Sequence, residues 1–206
     1  MAKEGFLFYL PFLIIAAIFF YLYDRSLSML FIYLGFASFL FGNLVLLFFR
    51  DPERKIPQEE DIIVSPADGK IMLIEEVAGH RLVSIFMSVL NVHINRVPVS
   101  GIVERLDYKP GKFKAAFNRE AVDINERLEI EIKSDKGNVV MHQVAGVLAR
   151  RIVCRLKVGQ QVKIGDRFGM IRFGSRVDLF LPSSVSIDVT KGQKVEGGKS
   201  IIGRFA

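Results

Sequence analysis

Two long stretches without a charged residue, Phe6 to Tyr23 and Leu27 to Phe49, dominate the N-terminal quarter, with only Asp24, Arg25 and Ser26 between them. Each is close to the ~20 residues that carry an α-helix across the hydrocarbon core of a bilayer. A backbone in lipid must satisfy its own hydrogen bonds, so the pair predicts a transmembrane helical hairpin with Asp24, Arg25 and Ser26 in the turn. A removable signal peptide before a single anchor fits less well, because the n-region is weakly basic and no small-x-small site ends the first run. The first run is also short enough for a re-entrant or interfacial helix. Lys3 ahead of the first run and Arg50, Arg54 and Lys55 behind the second outweigh the lone Arg25, which predicts both ends in the cytoplasm. The expected location is therefore the cell (inner, cytoplasmic) membrane, with the rest of the chain on its cytoplasmic side.

Beyond Phe49 the composition changes. R-D-P-E-R-K-I-P-Q-E-E-D is charged and carries two prolines, as a linker leaving a membrane surface would. The predicted division is a hairpin over 1–49 and a cytoplasmic domain over 50–206. That domain offers short β-branched runs: I-I-V-S, K-I-M-L-I-E-E-V, R-L-V-S-I-F-M, L-E-I-E-I-K, N-V-V-M-H-Q-V and R-I-V-C-R-L. Alternation from Leu128 to Lys133, followed by the turn D-K-G-N, predicts half-buried antiparallel strands and hairpins. Long amphipathic helical patterns are missing, so the expected fold is mainly β, a compact β-rich domain with helix confined to pieces such as Lys114 to Glu120. The net charge of +6 arises wholly beyond Phe49 and beside a membrane anchor points to anionic lipid rather than nucleic acid. Cys154 is the single cysteine, which fits a reducing compartment. His80, His93 and His142 are scattered without metal-ligand spacing, so no metal is expected.

Within V-K-I-G-D-R-F-G-M-I-R-F-G-S-R-V-D-L-F-L-P, Gly174 and Ser175 interrupt an otherwise strand-like pattern. Glycine lacks Cβ and allows close approach to its carbonyl, and a serine directly after it can attack that carbonyl once a base takes its proton. Taken alone, Gly-Ser in a strand is more often a bulge or bend.

Three further stretches precede it in order: S-P-A-D-G-K (Ser65 to Lys70), V-H-I-N-R-V-P (Val92 to Pro98) and N-E-R (Asn125 to Arg127), with H-Q-V-A-G-V-L-A-R-R-I-V between the last and F-G-S. Together they resemble the phosphatidylserine decarboxylase family in its short form, over nearly all of 50–206. The resemblance implies a self-processing decarboxylase of phospholipid biosynthesis, made as a zymogen. The serine attacks the preceding carbonyl, the ester eliminates to a dehydroalanine, and hydrolysis leaves a pyruvoyl group on the new N-terminus. Carried onto this sequence, autocatalytic cleavage falls between Gly174 and Ser175, Ser175 becomes the covalent pyruvoyl cofactor, and the fragments 1–174 and 175–206 stay together as a heterodimer that could oligomerise further. Phosphatidylserine in the bilayer would form a Schiff base with the ketone, lose carbon dioxide and leave as phosphatidylethanolamine, the pyruvoyl acting as electron sink.

For the remaining roles, the same resemblance implies His93 as the base, since its ordinary pKa lies near neutrality, with Asp68 orienting the ring as in a hydrolase triad. Outside the motif, Asp68-Gly69 is a turn signal and a lone histidine after an apolar run is usually structural. Relatives often carry two histidines three apart before the proline, whereas Arg96 stands at the second place here. Arginine cannot act as the base and is the candidate for binding the substrate's phosphate or carboxylate. Phe173 and Arg176 also replace the leucine and threonine that often flank Gly-Ser. His80 and His142 read as structural, and Asn125-Glu126-Arg127 as a salt-bridge element.

Membrane contact is expected from Y-K-P-G-K-F-K-A-A-F-N-R-E, in which Lys112, Phe113 and Phe117 would meet headgroups and acyl chains; packing of the phenylalanines into the core is the other reading. A different class of function stays open. The cadence from R-L-K-V-G-Q-Q-V-K-I-G-D to V-T-K-G-Q-K-V-E-G-G-K-S-I-I-G resembles barrel-sandwich hybrid domains, which also occur in non-enzymatic membrane-tethered scaffolds and adaptors, although no modifiable lysine stands at an evident hairpin tip. A related decarboxylase acting on a soluble amino-acid derivative would leave the hydrophobic hairpin without a purpose.

Overall fold

The computed structural model describes residues 3–111, 125–146, 152–171 and 175–206. Phe173, Gly174, Lys112, Phe113, Phe117 and the helical piece expected at 114–120 lie outside them. The chain divides into two compact units, Met1–Glu53 and Arg54–Ala206.

The first unit is a helical hairpin of α1 (Lys3–Ser26) and α2 (Met29–Phe48), both long and apolar enough to cross a membrane. The turn falls later than the charges suggest. Asp24, Arg25 and Ser26 complete α1, and the chain reverses at Leu27 and Ser28, with Leu27 at φ 55° and its N–H donating to Tyr23 O at 2.7 Å. Helix continues because Ser26 Oγ bonds back to Leu22 O at 2.7 Å and Arg25 lies over the Tyr21 ring, so the polar residues find partners on the last turn. Small residues let the helices approach: a Cβ on Gly35 would sit 2.6 Å from the Phe20 ring, and one on Gly42 3.0 Å from Tyr9 and Phe12. Ser38 Oγ donates across the interface to Phe12 O at 2.9 Å.

The second unit is antiparallel β throughout its described residues. In chain order the strands are β1 (Ile62–Val64), β2 (Gly69–Val77), β3 (His80–Met87), β4 (Ile94–Arg96), β5 (Gly101–Lys109), β6 (Arg127–Ser134) and β7 (Gly137–Val144). They continue as β8 (Ile152–Cys154), β9 (Gln161–Val162), β10 (Arg167–Ile171), β11 (Ser175–Pro182), β12 (Ser186–Ile187), β13 (Lys194–Val195) and β14 (Ile201–Arg204). An eight-stranded sheet runs β13-β2-β3-β11-β7-β6-β5-β9, beside smaller sheets β1-β14-β12 and β4-β10-β8. Two-residue turns set the registers: Ala78 and Gly79, both at positive φ, join β2 to β3, and Asp135-Lys136 joins β6 to β7.

Strand alternation sorts the large sheet. Leu128, Ile130 and Ile132 of β6 and Val177, Leu179 and Leu181 of β11 enter one core with Ile85, Met141 and Phe168. The opposite face is polar: Arg176 and Asp178 on β11, His142 on β7 and Glu129 on β6 follow one another across the ladder. Arg127 and Lys109 bond Glu129 at 3.0 and 2.8 Å, and His142 packs on Phe180 with ring centroids 4.6 Å apart. His142 and the Arg127–Glu129 pair thus serve the structure.

His142 has its pKa pushed below the ordinary histidine value, burial being the largest cause and the charges of Glu129 and Asp178 opposing it. The folded chain therefore holds this ring neutral where the unfolded chain would protonate it, and stability falls as pH drops below about 6.5. Melting curves in detergent should show that decline, with a shallower slope in His142→Gln. Equal slopes for the two proteins would assign the pH dependence to other groups.

Candidate active site

Ser175 is the first residue of β11 and wholly buried. It lies opposite Met87 of β3, and its hydroxyl meets the Met87 sulfur at 3.3 Å. A thioether is a weak acceptor, so this contact holds the oxygen loosely while excluding water. Ile171, which ends β10, belongs to the small β4-β10-β8 sheet, whereas Ser175 opens a central strand of the large one. Consecutive strands β10 and β11 therefore belong to different sheets.

His93 directly precedes β4 and is also wholly buried. Its Nδ1 lies 2.8 Å from Asn91 O, and because a carbonyl can only accept, Nδ1 carries the proton and Nε2 is the basic atom of the neutral ring. The Asn91 side chain fixes this corner by accepting from the Ser88 N–H at 2.8 Å and from Ser88 Oγ at 2.7 Å.

Asp68 stands just before β2, with Oδ2 accepting from Arg54 Nη2 at 2.7 Å and Oδ1 from the Gly197 N–H at 2.7 Å. The carboxylate thus joins residues remote in the chain, and Arg54 also reaches Glu196 at 2.9 Å. Arg96 is buried on β4; its Nη1 donates to Gly165 O at 3.0 Å and its backbone N–H to Pro66 O at 2.8 Å. Asn125 Nδ2 donates to Ala145 O at 2.7 Å, which ties the N-E-R motif to the end of β7.

Residues that motif reading leaves without a role complete the surroundings. Gln143 Nε2 of β7 donates to Asn95 Oδ1 of β4 at 2.7 Å, and Asn95 Nδ2 lies 3.8 Å from the Met87 sulfur. On the outer face Arg176 donates from Nε to Asp178 Oδ1 at 2.6 Å and from Nη2 to Ser84 Oγ at 3.0 Å. Gln143 falls in H-Q-V-A-G and Asn95 in V-H-I-N-R-V-P, so the sequence signal was present, but their pairing is visible only in three dimensions. His80 is exposed at the β2–β3 turn and bonds Ala78 O. Burial raises the pKa of Cys154, which keeps its thiol protonated and weakly nucleophilic. No group of three or more metal-ligating side chains occurs among the described residues.

The sequence profile of the family described as phosphatidylserine decarboxylase matches residues 41–203. A phosphatidylserine decarboxylase proenzyme of Pelodictyon phaeoclathratiforme is 52% identical over 166 residues, covering 78% of each chain. Its namesake from Wolbachia sp. subsp. Brugia malayi is 46% identical over 214 residues, 97% of this chain and 89% of the relative. A third, from Ehrlichia chaffeensis, is 47% identical over 178 residues, 82% and 79% of the two chains. The matched region runs through Asp68, His93, Asn95, Gln143 and Ser175, and on this likeness the chain belongs to the phosphatidylserine decarboxylase family.

Proposed function

We propose that the chain is a proenzyme that cuts itself between Gly174 and Ser175, converts Ser175 to a pyruvoyl group and decarboxylates phosphatidylserine at the membrane. The observation that carries this reading is the setting of Ser175, a buried nucleophile at the first position of a central strand whose hydroxyl meets a thioether among the described residues. Family membership supplies the reaction class. A pyruvoyl group has fewer atoms than the serine residue that gives rise to it, so the space around Ser175 suits it. Once formed, it would supply a ketone for the substrate amine and draw in the electron pair left when carbon dioxide departs.

The chain's own residues prepare that group. His93 takes the Ser175 proton at Nε2 while Asn91 O holds the proton on Nδ1, and the buried hydroxyl becomes nucleophilic. Asp68, held by Arg54 and the Gly197 N–H, would stabilise the imidazolium through its negative charge, since the Nδ1 proton is engaged by Asn91 O. Arg96, permanently charged and braced by Gly165 O, is the proposed partner of the substrate's phosphate. The apolar hairpin would hold the catalytic unit on the cytoplasmic side of the inner membrane, with Lys112, Phe113 and Phe117 at the lipid surface.

Ser175→Ala should give an uncut, inactive chain when its intact mass is measured. His93→Ala should slow cleavage by ~10²–10⁴-fold, the usual contribution of a general base, and Asp68→Asn should slow it less. Normal cleavage of either variant removes that residue from processing.

Replacing Phe113 and Phe117 by serine should lower turnover of phosphatidylserine in vesicles while sparing self-cleavage and activity on a short-chain, water-soluble analogue. Equal losses on both substrates would place the two rings in the core.

A further inference from the structure

His93 and Ser175 stand on different sheets, one directly before β4 and the other at the head of β11. Proton transfer requires a base within about 2.6–3.2 Å of the group it deprotonates, so on the self-processing reading the two sheets must be held in fixed relation at this point. The motif residues with no assigned part supply a link. Gln143 of β7 and Asn95 of β4 are both wholly buried and joined at 2.7 Å, which bonds the large sheet to the small one through side chains.

Each end of that link leads to a reacting residue. Asn95 follows His93 by two positions, in the middle of the strand that His93 leads into. Gln143 lies opposite Val177 on the β11 ladder, a diagonal neighbour of Ser175 and within reach of a long side chain. Between them, the Met87 sulfur meets both Asn95 Nδ2, at 3.8 Å, and Ser175 Oγ, at 3.3 Å. Asn95 Nδ2 also lies 3.4 Å from Pro66 O, in the stretch that carries Asp68.

Stability does not account for two amides in this place. Gln143 Oε1 is buried with no hydrogen-bond partner among the described residues, and an unsatisfied buried acceptor weakens a fold, whereas an apolar pair of similar shape would be nearly neutral. We propose that Asn95 and Gln143 are positioning residues, which set the His93 ring against the Ser175 hydroxyl for self-cleavage. The proposal rests on the self-processing reading, and it extends that reading to residues that do not themselves exchange protons.

The test is the rate at which freshly synthesised full-length chain is cut, followed by gel and intact mass across a range of pH. Gln143→Leu, Asn95→Leu and the double variant are compared with wild type. If the pair acts as one unit, each single variant slows cleavage tenfold or more and the double variant is within about twofold of the slower single. With His93 displaced, residual cleavage depends on hydroxide, so its rate keeps rising with pH where the wild-type rate levels off. Gln143→Met, which keeps chain length, takes the same criteria should the leucine variants fail to fold. Wild-type rates in the single variants, or slowing with an unchanged pH profile, would overturn the positioning role. A wild-type chain that is never cut, or a Ser175→Ala chain that is, would instead overturn the self-processing reading itself.

Discussion

The hydrogen-bonded ladder around β11 is the constraint on which the arrangement depends. The strand pairs with β3 from Ser175 to Pro182 and with β7 from Arg176 to Phe180, so its backbone is engaged on both edges. Its faces divide without mixing. Val177, Leu179 and Leu181 enter the core, while Arg176 and Asp178 form an ion pair at 2 and 1% side-chain exposure on the other side. Removing one partner of such a pair costs about 3–5 kcal/mol, because the other charge is left buried alone. A one-residue slip of β11 would push both charges into the core and Val177 out of it, which makes the register hard to change. Ser175 inherits that fixed position.

The strand that precedes β11 in the chain is held differently. β10 ends at Ile171 in the small sheet with β4 and β8, and Gly169 packs against Val153 O so closely that a Cβ would lie 2.1 Å from that oxygen. β10 and β11, consecutive in the chain, are thus anchored in separate ladders.

How much of this is legible in the sequence depends on the range of the interaction. Alternation from Leu128 to Lys133 and the D-K-G-N turn specify β6 and its hairpin locally, and the structure has both. The helical hairpin is equally legible from its uncharged runs, but its turn is displaced because Ser26 and Arg25 find partners on α1 itself. β5 does not stand out in sequence: E-R-L-D-Y-K mixes charge and apolar residues, and its charges are accommodated by cross-strand pairs such as Arg105–Glu131 and Lys109–Glu129. The motifs mark Ser175, His93 and Asp68, since each is named by its neighbours in the chain. Asn95 with Gln143, and Asp68 with Arg54 and Gly197, join distant segments, and no local pattern encodes such partners.

The C-terminal strands have a further consequence for a chain cut before Ser175. Residues 175–206 do not form a tail that could peel away. β11 lies between β3 and β7, β13 borders β2, and β14 joins β1 to β12. The short piece is woven through the long one, and pulling it out would open the core along its length. Severed at one peptide bond, the protein would behave as a complemented pair of fragments, neither folded without the other, whose stability would depend on protein concentration as that of the uncut chain does not.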